Sequence, residues 1–411
     1  MSEQSATTDP APGARSQNGP MQDVRVLDLS IALTGPYAAT LLADQGAEVI
    51  KIERPGFGDI ARYVGVAVGG TSALYHACNR GKRSVAIDPH TPDGRDLVLA
   101  LARGCDVFVQ NFRPGVMDRL GLGYDDVRAV SPEIVYASLT GFGPVGPYAQ
   151  KGAYDTVIQA YGGFAASQRE PGEEQPRFLK QTAADKVTAL YASQAITAAL
   201  FARERGRGGQ HIELAMLDAV ASFLWADAAG NEVLMDSDGS LPSSFVSSFR
   251  PLRFADGWGI VTPTADKDFP GMCRAFGVDD TDPRLQTIML RNQNREFVAE
   301  VMETIYAIAT TMKVADAMAA MEAQTVPCGV VLSPADLTED PHALAVGMFE
   351  THVHPTSGRV RHPRHPAQFG ATPAALAGRA PLLGEHTDAV LTELGVDGAR
   401  IAELRTAGVI G

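Results

Sequence analysis

Short apolar runs alternate with helical patterns over the first third of the chain. Each run has five or six residues and is bounded by turn-forming residues, a pattern typical of a buried strand. The runs cover residues 24–29, 48–53, 84–88, 106–110 and 134–139. Helical patterns lie between them, at residues 36–46, 92–103 and 114–130. This alternation predicts an α/β fold with a parallel sheet covered by helices on both faces.

A long helix is predicted over residues 183–204, where small and apolar residues recur at helical spacing before a glycine-rich stop. Another helix is expected near residues 213–230, and a stretch rich in Ser, Asp and Gly predicts a linker after it. The chain is therefore divided into a disordered leader (1–20), a large domain (21–230), a linker (231–248), a smaller mixed α/β domain (249–338) and a C-terminal segment (339–411).

Composition narrows the classes of partner. The formal net charge of -13 argues against a nucleic-acid partner, which needs a basic face to displace counterions. The four cysteines form no CxxC pair, which fits a reducing compartment and predicts a cytoplasmic protein. No run reaches the ~18 apolar residues of a membrane span, so no membrane partner is expected.

The second predicted strand ends at Glu53 and Arg54, and its position indicates where a ligand binds. In an open parallel sheet, ligands lie outside the carboxyl ends of the strands, and the end of the second strand holds a nucleotide's sugar. Arg54 there suits a nucleotide with an extra phosphate on its ribose. The first loop, residues 30–36, contains no GxGxxG, and no GK[ST] loop is present. The sequence therefore argues against a dinucleotide-binding glycine loop and against a P-loop.

Motifs along most of the chain resemble one family, the class III coenzyme A transferases of CaiB/BaiF type, which include formyl-CoA transferases and the related α-methylacyl-CoA racemases. In the first half these are Val24-Arg-Val-Leu-Asp-Leu29, Val49-Ile-Lys-Ile-Glu-Arg-Pro-Gly56, Asn79-Arg-Gly-Lys-Arg-Ser84, Asn111-Phe-Arg-Pro-Gly115, Gly141-Phe-Gly143 and Gly206-Arg-Gly-Gly-Gln210. Later come Asp256-Gly-Trp258, Asp282-Pro-Arg284, Val326-Pro-Cys-Gly329, Asp340-Pro-His342 and Leu383-Gly-Glu-His-Thr387. Each motif is weak alone, but together they cover residues 22–397 in order.

The resemblance implies a large Rossmann-like domain built from the N-terminal half and the C-terminal segment, with a smaller α/β domain inserted between them. It also implies that two chains interlock as a homodimer. The implied activity moves CoA from an acyl-CoA thioester to a free carboxylic acid, with acyl-CoA and small carboxylic acids as substrates. Coenzyme A is then a co-substrate, and no tightly bound cofactor is expected.

Asp185 matches the family's catalytic aspartate, the nucleophile that forms an anhydride and then an aspartyl-CoA thioester. A structural alternative competes with this role. Thr182 and Asp185 have the spacing of a capping box, and an acid in the first helical turn is stabilised by the helix dipole anyway. Spacing alone favours the structural role, and the resemblance reverses that preference. The two roles are compatible, since the dipole would keep Asp185 ionised.

The same resemblance implies the CoA-binding residues. Arg54 matches the clamp on the adenosine 3′-phosphate, with basic residues near it at one sheet edge, and a helix-face salt bridge competes with the phosphate contact implied for Arg119. Backbone and ring atoms after the fourth strand are expected along the pantetheine arm, and the first loop approaches the acyl group. The full set is Ala32, Thr34, Arg54, Asn79, Lys82, Arg83, Asn111, Phe112 and Arg119.

Leu33, Tyr154 and Asp155 are expected to orient the substrate. Formyl-CoA transferases carry glutamine where this chain has Leu33, and their run of four glycines has no counterpart in residues 224–248, so formate and oxalate are doubtful substrates. Racemases carry His-Asp where this chain has Tyr154-Asp155, and a tyrosine is a poor replacement for that acid–base group. Asp155 could also be a plain surface acid. An acyl-CoA isomerase or racemase, or CoA transfer within one molecule, remains the alternative function.

Four histidines lie in the turn-rich stretch 352–365 and invite a metal-binding interpretation. Similar hairpins in the family hold no metal, so no metal site is expected there. A chain that only binds CoA, without catalysis, is the remaining hypothesis, and Arg54 together with Asp185 speaks against it.

Overall fold

A computed structural model describes residues 19–169, 173–239, 243–244, 246 and 249–411. The leader predicted at residues 1–20 lies almost wholly outside the described residues, as does part of the predicted linker. Contacts within the chain divide it into two units, residues 1–226 with 347–411 and residues 227–346. The sequence placed these boundaries at residues 230 and 339.

The elements are numbered in chain order. The strands are β1 (Arg25–Asp28), β2 (Glu48–Glu53), β3 (Ala67–Val68), β4 (Thr71–Ser72), β5 (Arg83–Ala86), β6 (Val107–Gln110), β7 (Val135–Thr140), β8 (Gln210–Ala215), β9 (Leu252–Arg253), β10 (Trp258–Val261), β11 (Cys328–Val330), β12 (Phe349–His354) and β13 (Gly358–Pro363). The helices are α1 (Thr34–Ala43), α2 (Ala73–Asn79), α3 (Pro92–Ala102), α4 (Val116–Arg119), α5 (Tyr124–Val130), α6 (Asp155–Tyr161), α7 (Phe164–Ser167), α8 (Ala183–Ala202), α9 (Met216–Trp225), α10 (Gly230–Val233), α11 (Asp268–Ala275), α12 (Ile288–Gln293), α13 (Arg295–Ala309), α14 (Val314–Ala323), α15 (Pro334–Glu339), α16 (Pro341–Ala345), α17 (Thr387–Glu393) and α18 (Gly398–Thr406).

A six-stranded parallel sheet forms the centre of the first unit, in the order β5-β2-β1-β6-β7-β8. Numbered within the sheet, this order is 3-2-1-4-5-6, the order of a Rossmann-like sheet. Successive strands are added on one side of β1 as far as β5 and then on the other side from β6 onward, so the strand order reverses between β1 and β6. Ligands of such sheets bind outside the carboxyl ends of the strands at this switch point, so the loops after β1 and β6 are the first place to look for a site.

Helices cover both faces of the sheet, and each face has its own apolar core. On one face α1 packs on α8 through small buried residues such as Ala39 and Ala192, and their lack of bulk lets the two helices approach closely. On the other face α3 and α5 pack with α17 and α18 near the end of the chain, through residues such as Leu391 and Ile401. The C-terminal segment thus belongs to the core of the first unit.

The second unit contains a three-stranded antiparallel sheet in the order β11-β10-β9. Helices α11, α13 and α14 pack with it around a separate apolar core that includes Phe254, Met272 and Met321. The unit therefore has a core of its own.

The structure corrects three sequence expectations. Residues 210–215 form β8, where the sequence predicted that a helix begins at 213. This strand lies at one edge of the sheet, and it begins with polar, partly exposed residues, so it lacks the continuous apolar run that marked the other strands. The predicted helix over 114–130 is two helices, because Gly121 has a φ of 68° between them. Finally, α1 begins at Thr34, before Pro36. Among the described residues no helix has the length and apolar character needed to span a bilayer.

Candidate active site

Three helices begin at one place near the switch point. Asp185 lies in the first turn of α8, Thr34 is the first residue of α1 and Asp155 is the first residue of α6. The Thr34 hydroxyl donates a hydrogen bond to Oδ1 of Asp185, and the backbone N–H of Asp185 donates to Oδ2 of Asp155 at 3.0 Å. The structure thus brings together three of the residues that the sequence singled out.

Asp185 does not take part in a capping box. Its helix begins after Thr182, and the Thr182 side chain makes no capping hydrogen bond. The structural alternative based on the Thr182–Asp185 spacing is therefore wrong. The carboxyl of Asp185 instead faces Thr34 on another helix.

Burial raises the pKa of Asp185 to about 6, the Thr34 hydrogen bond lowers it, and the negative charge of Asp155 raises it. The expectation that the helix dipole would hold this carboxyl firmly ionised is incomplete, because desolvation outweighs stabilisation of the charge. With that pKa, the Asp185 carboxyl is mostly ionised at pH 7. The group is a carboxylate at neutral pH, and it becomes protonated as the pH falls through about 6.

Gln159 holds Asp155 in place, and the sequence analysis missed it. Gln159 is fully buried, and its Nε2 donates to Oδ1 of Asp155 at 2.5 Å. Its Oε1 accepts the backbone N–H of Leu179 at 3.0 Å, and Nε2 also reaches the carbonyls of Leu179 and Gln181 at 3.3 and 3.2 Å. Asp155 is itself buried, so the plain surface role is wrong. The four-residue spacing of Asp155 and Gln159 on a helix was the available signal.

The loop after β1 is fastened to the end of β6. Oδ1 of Asn111 accepts the N–H of Ile31, and Nδ2 of Asn111 donates to the Ile31 carbonyl, both at 2.8 Å. Ala32 follows with a φ of 65°, and its N–H donates to Oδ1 of Asp59 at 2.9 Å. Leu33 is buried beside Thr34. Both the oxygen and the nitrogen of the Asn111 amide are thus hydrogen-bonded to the loop across the switch point.

A cavity of about 120 Å³ is lined by residues of β6, β7 and β8 and of the helices α4 and α5. Phe112 lines it, and the Phe112 N–H is held by Oε1 of Gln110 at 2.8 Å. His211 lies on its wall, stacked on Tyr124 with ring centroids 4.8 Å apart. The remaining lining residues are Gln110, Arg113, Pro114, Gly115, Met117, Asp118, Gly123, Tyr136, Ser138, Thr140, Pro144 and Glu213. Exposed Arg113 gives this cavity a cationic group that the sequence analysis did not identify, beside the acidic side chains of Asp118 and Glu213.

The predicted basic cluster around Arg54 is not present. Arg54 is exposed just after β2 and makes no salt bridge within the described ranges. Arg83 opens β5 opposite Ile50, three residues before Glu53, so Arg83 and the preceding Lys82 stand at the wrong end of their strand. Strand order in the sequence could not show which end of the strand each cation would occupy.

Internal partners also occupy these side chains. Lys82 is buried and pairs with Asp28 at 2.7 Å, while Arg83 pairs with Glu48 at 2.8 Å and Glu393 at 2.6 Å. Asn79 is fully buried, and its Oδ1 accepts from Lys82 at 3.0 Å. The structure gives these residues partners within the fold, whereas Arg54 and Arg119 remain exposed to solvent.

The histidines of the hairpin β12–β13 do not form a metal site. His354 packs edge-on against His76, with ring centroids 4.6 Å apart, and His352 lies 6.4 Å from His362. Within the described part of the chain, no group of three or more His, Cys, Asp or Glu side chains is placed to hold a metal ion.

The chain is similar to known CoA-transferases over nearly its whole length. The profile described as CoA-transferase family III matches residues 21–387. The succinate–glutarate CoA-transferase of Agrobacterium fabrum is 35% identical over 394 residues, covering 91% of this chain and 96% of the relative. The human succinyl-CoA:glutarate CoA-transferase is 32% identical, covering 95% of this chain and 90% of the relative. A crystal structure of a CAIB/BAIF family protein from Brucella suis superposes with a TM-score of 0.79 at 34% identity, covering 92% of this chain and 100% of that one.

Two substitutions should move the pKa of Asp185 in opposite directions. Thr34→Val removes a donor that favours the charged carboxylate, so the pKa should rise above about 6. Asp155→Asn removes the neighbouring negative charge and keeps an oxygen for the Asp185 N–H, so the pKa should fall. The measurement is carbodiimide labelling of Asp185 against pH, mapped by mass spectrometry, with exposed Asp96 as the reference carboxyl. Unchanged midpoints in both variants would contradict the assigned causes.

Proposed function

The chain belongs to CoA-transferase family III and is a transferase, and from this premise we propose that it moves CoA from an acyl-CoA thioester to a free carboxylic acid, with Asp185 as the nucleophile. One observation carries the proposal. The Asp185 carboxyl, with a pKa raised by burial to about 6, is held by Thr34 between the starts of three helices and is ionised at neutral pH.

The proposed reaction begins when a carboxylate oxygen of Asp185 attacks the thioester carbonyl and the CoA thiolate leaves, giving a mixed anhydride. The thiolate then attacks the aspartyl carbonyl, which releases the donor acid as a carboxylate and leaves an aspartyl-CoA thioester. The acceptor carboxylate attacks this thioester, and the expelled thiolate finally attacks the acceptor's acyl carbon. The last step forms the new acyl-CoA and restores the Asp185 carboxylate, with no net change in protons.

Asp155 would act on this sequence through position and charge. Its Oδ2 fixes the backbone N–H of Asp185, and Gln159 fixes Asp155 from the other side. A second carboxylate this close disfavours the negative charge on Asp185. Attack on a thioester removes that charge from Asp185, so acylation relieves the repulsion.

Exposed arginines are the proposed anchors for CoA. Arg54 lies at the end of β2, where a guanidinium can pair with the ribose phosphate. Arg119 ends α4 next to the cavity that Phe112 and Arg113 line, which suits the pantetheine arm and the pyrophosphate. The internal pairs of Lys82 and Arg83 leave these two residues out of the proposed CoA contact set. Coenzyme A enters as a co-substrate in this proposal, with no other cofactor.

A dicarboxylic acyl group is the proposed substrate class. The two relatives described above are named for succinate or succinyl-CoA and glutarate. In this chain Leu33 is buried next to Thr34, which gives the acyl end of the site an apolar wall suited to a methylene chain. The donor and acceptor would then be acids of the succinate and glutarate type.

The isomerase alternative is less well supported. Exchange of an α-proton between two faces needs a second acid–base group beside the substrate. Tyr154 occupies the place of the racemases' histidine, and its side chain is 78% exposed. With acyl-CoA alone, an isomerase would incorporate solvent deuterium at Cα. A transferase would show no turnover of acyl-CoA until a free carboxylic acid is added.

An interlocked homodimer with an inserted smaller domain is also proposed from family membership. Large apolar side chains on α8 and α9 support a partner surface, since Leu190, Phe201 and Phe223 are each more than half exposed. Sedimentation equilibrium should give twice the chain mass of 43.5 kDa. A single species at the monomer mass at micromolar concentration would refute the dimer.

Replacing the nucleophile should abolish transfer. Asp185→Ala removes the attacking oxygen, so turnover of succinyl-CoA with glutarate should fall by at least about 10³-fold. Hydroxylamine should trap an aspartyl hydroxamate at Asp185 in the native enzyme with succinyl-CoA alone. Asp218→Ala, on the neighbouring helix α9, is the matched control and should keep its turnover. Persistent transfer in Asp185→Ala would exclude this mechanism.

The role of Arg54 can be tested with a truncated donor. Arg54→Ala should raise KM for the acyl-CoA about 10–100-fold, the value of a charge-assisted hydrogen bond. With the 3′-dephospho-CoA thioester, the native enzyme and the variant should have similar KM values, because the phosphate that Arg54 binds is gone. An equal effect of Arg54→Ala on both donors would mean that Arg54 does not contact this phosphate.

A further inference from the structure

A buried ammonium group lies beneath the loop that carries Thr34. Lys51, in the middle of β2, has no exposed side-chain surface. Its Nζ lies 2.9 Å from Oδ2 of Asp59, donates to the Ser30 carbonyl at 2.8 Å and lies 4.0 Å from Oδ2 of Asp28. Burial alone would lower the pKa of Lys51, but the carboxylates of Asp59, Asp28 and Glu53 outweigh it and raise the pKa. The ammonium is therefore charged.

Asp59 joins this ammonium to the loop. Its Oδ1 accepts the N–H of Ala32 at 2.9 Å and the N–H of Ala61 at 2.8 Å. Its own backbone N–H donates to Oε2 of Glu53 at 3.0 Å. Asp59 is buried and held on both sides, so the direction of its Oδ1 is set by the fold and not by the loop.

Ala32 occupies a conformation that its side chain disfavours. Its φ of 65° lies in the left-handed region, where the Cβ of an L-residue crowds the backbone. The hydrogen bond to Asp59 is the contact that holds the Ala32 N–H in this orientation. Thr34 follows two residues later and places its hydroxyl on the Asp185 carboxyl. Ala32 thus lies two residues before the hydroxyl group that contacts Asp185.

We propose that Asp59 and Lys51 are positioning residues for the transfer reaction: the ion pair holds Ala32 in the left-handed conformation and thereby keeps the Thr34 hydroxyl on Asp185. The inference rests on the proposed function of Asp185 as nucleophile. Neither residue touches substrate in this proposal. Both act through the loop, and their replacement changes the geometry of the reacting group while Arg54 and the CoA cavity keep theirs.

Two kinetic consequences distinguish positioning from general stability. Loss of the loop conformation misplaces the nucleophile's partner, so kcat should fall about 100-fold while KM for the acyl-CoA changes little. Loss of the Thr34 hydrogen bond also removes a group that lowers the pKa of Asp185. The acidic limb of the pH–rate profile should then move to higher pH. Asp155 on α6 is the charged group that acts on Asp185 in that titration, and it is unchanged.

The test compares Asp59→Asn with Asp44→Asn. An asparagine at position 59 keeps one acceptor oxygen, so its NH2 group must face either the Lys51 ammonium or the N–H groups of Ala32 and Ala61, and the link between the ion pair and the loop is lost. Asp44 is an equally buried carboxylate, paired with Arg80 at the far end of α1. Both variants should lose stability because each removes a carboxylate partner from a buried cation. Only Asp59→Asn should lower kcat and raise the acidic-limb pKa. The double variant Thr34→Val/Asp59→Asn should show no further pKa shift beyond Thr34→Val, because both changes break the same hydrogen bond.

Substitutions at Ala32 test the conformational step directly. Glycine adopts a positive φ without strain, so Ala32→Gly in the Asp59→Asn background should restore part of the lost kcat. Ala32→Val disfavours the left-handed conformation without touching the ion pair, and it should reproduce the loss of kcat and the pKa shift. This second variant also serves if Asp59→Asn is not recovered as a folded protein.

The outcomes separate this inference from the proposed function. If the native enzyme transfers CoA but Asp59→Asn and Ala32→Val keep the native kcat and pH profile, the positioning role is wrong and the function stands. Additive pKa shifts in the double variant would also refute it. If the native enzyme transfers no CoA between any tested acids, the proposed function itself fails.

Discussion

Buried ion pairs hold the loops at the carboxyl ends of the strands, where the candidate site lies. Asp28, Lys51 and Lys82 have no exposed side-chain surface, and moving such ions out of water costs several kcal/mol each unless partners offset it. Burial would raise the pKa of Asp28, but Lys82 and Lys51 overcome it and hold the pKa below its usual value. Burial lowers the pKa of Lys82 to about 8 despite Asp28. These ions are stable only together, so the loops that enclose them are held as well.

The same constraint decides which cations are left for a ligand. The chain has 35 Lys and Arg residues against 48 Asp and Glu, and several of its cations are paired inside the fold. Lys51, Lys82 and Arg83 are bound by carboxylates. In the proposed function, the exposed arginines after β2 and β6 would therefore supply the electrostatic attraction for the phosphates of the substrate, in an otherwise acidic protein.

The sequence predicted the strands whose side chains are buried on both faces of the sheet. Strands buried on both faces are continuous apolar runs, so β1, β2, β5, β6 and β7 were recognisable. Both β5 and β8 are edge strands, but β5 is buried whereas β8 is exposed or half-buried over most of its length, so only β8 was missed. The position of Asp185 came from the resemblance and not from local pattern, since Thr182 and Asp185 have the spacing of a cap. Asp59 and Gln159 escaped notice because a single polar residue does not reveal which distant group it will meet. Lys82 and Arg83 were misassigned for the same reason.

The surroundings of Asp185 satisfy two opposing demands of its proposed role. A nucleophilic carboxylate must be ionised at neutral pH, yet a strongly stabilised one would be reluctant to give up its charge to an acyl group. Burial and Asp155 raise the pKa, and the Thr34 hydroxyl limits the rise, so the group stays ionised near neutrality. Acylation makes Asp185 neutral, which removes both the desolvation cost and the repulsion from Asp155. The interactions that raise its pKa therefore also favour the covalent intermediate, and rigid placement of Asp155 by Gln159 keeps that preference built into the fold.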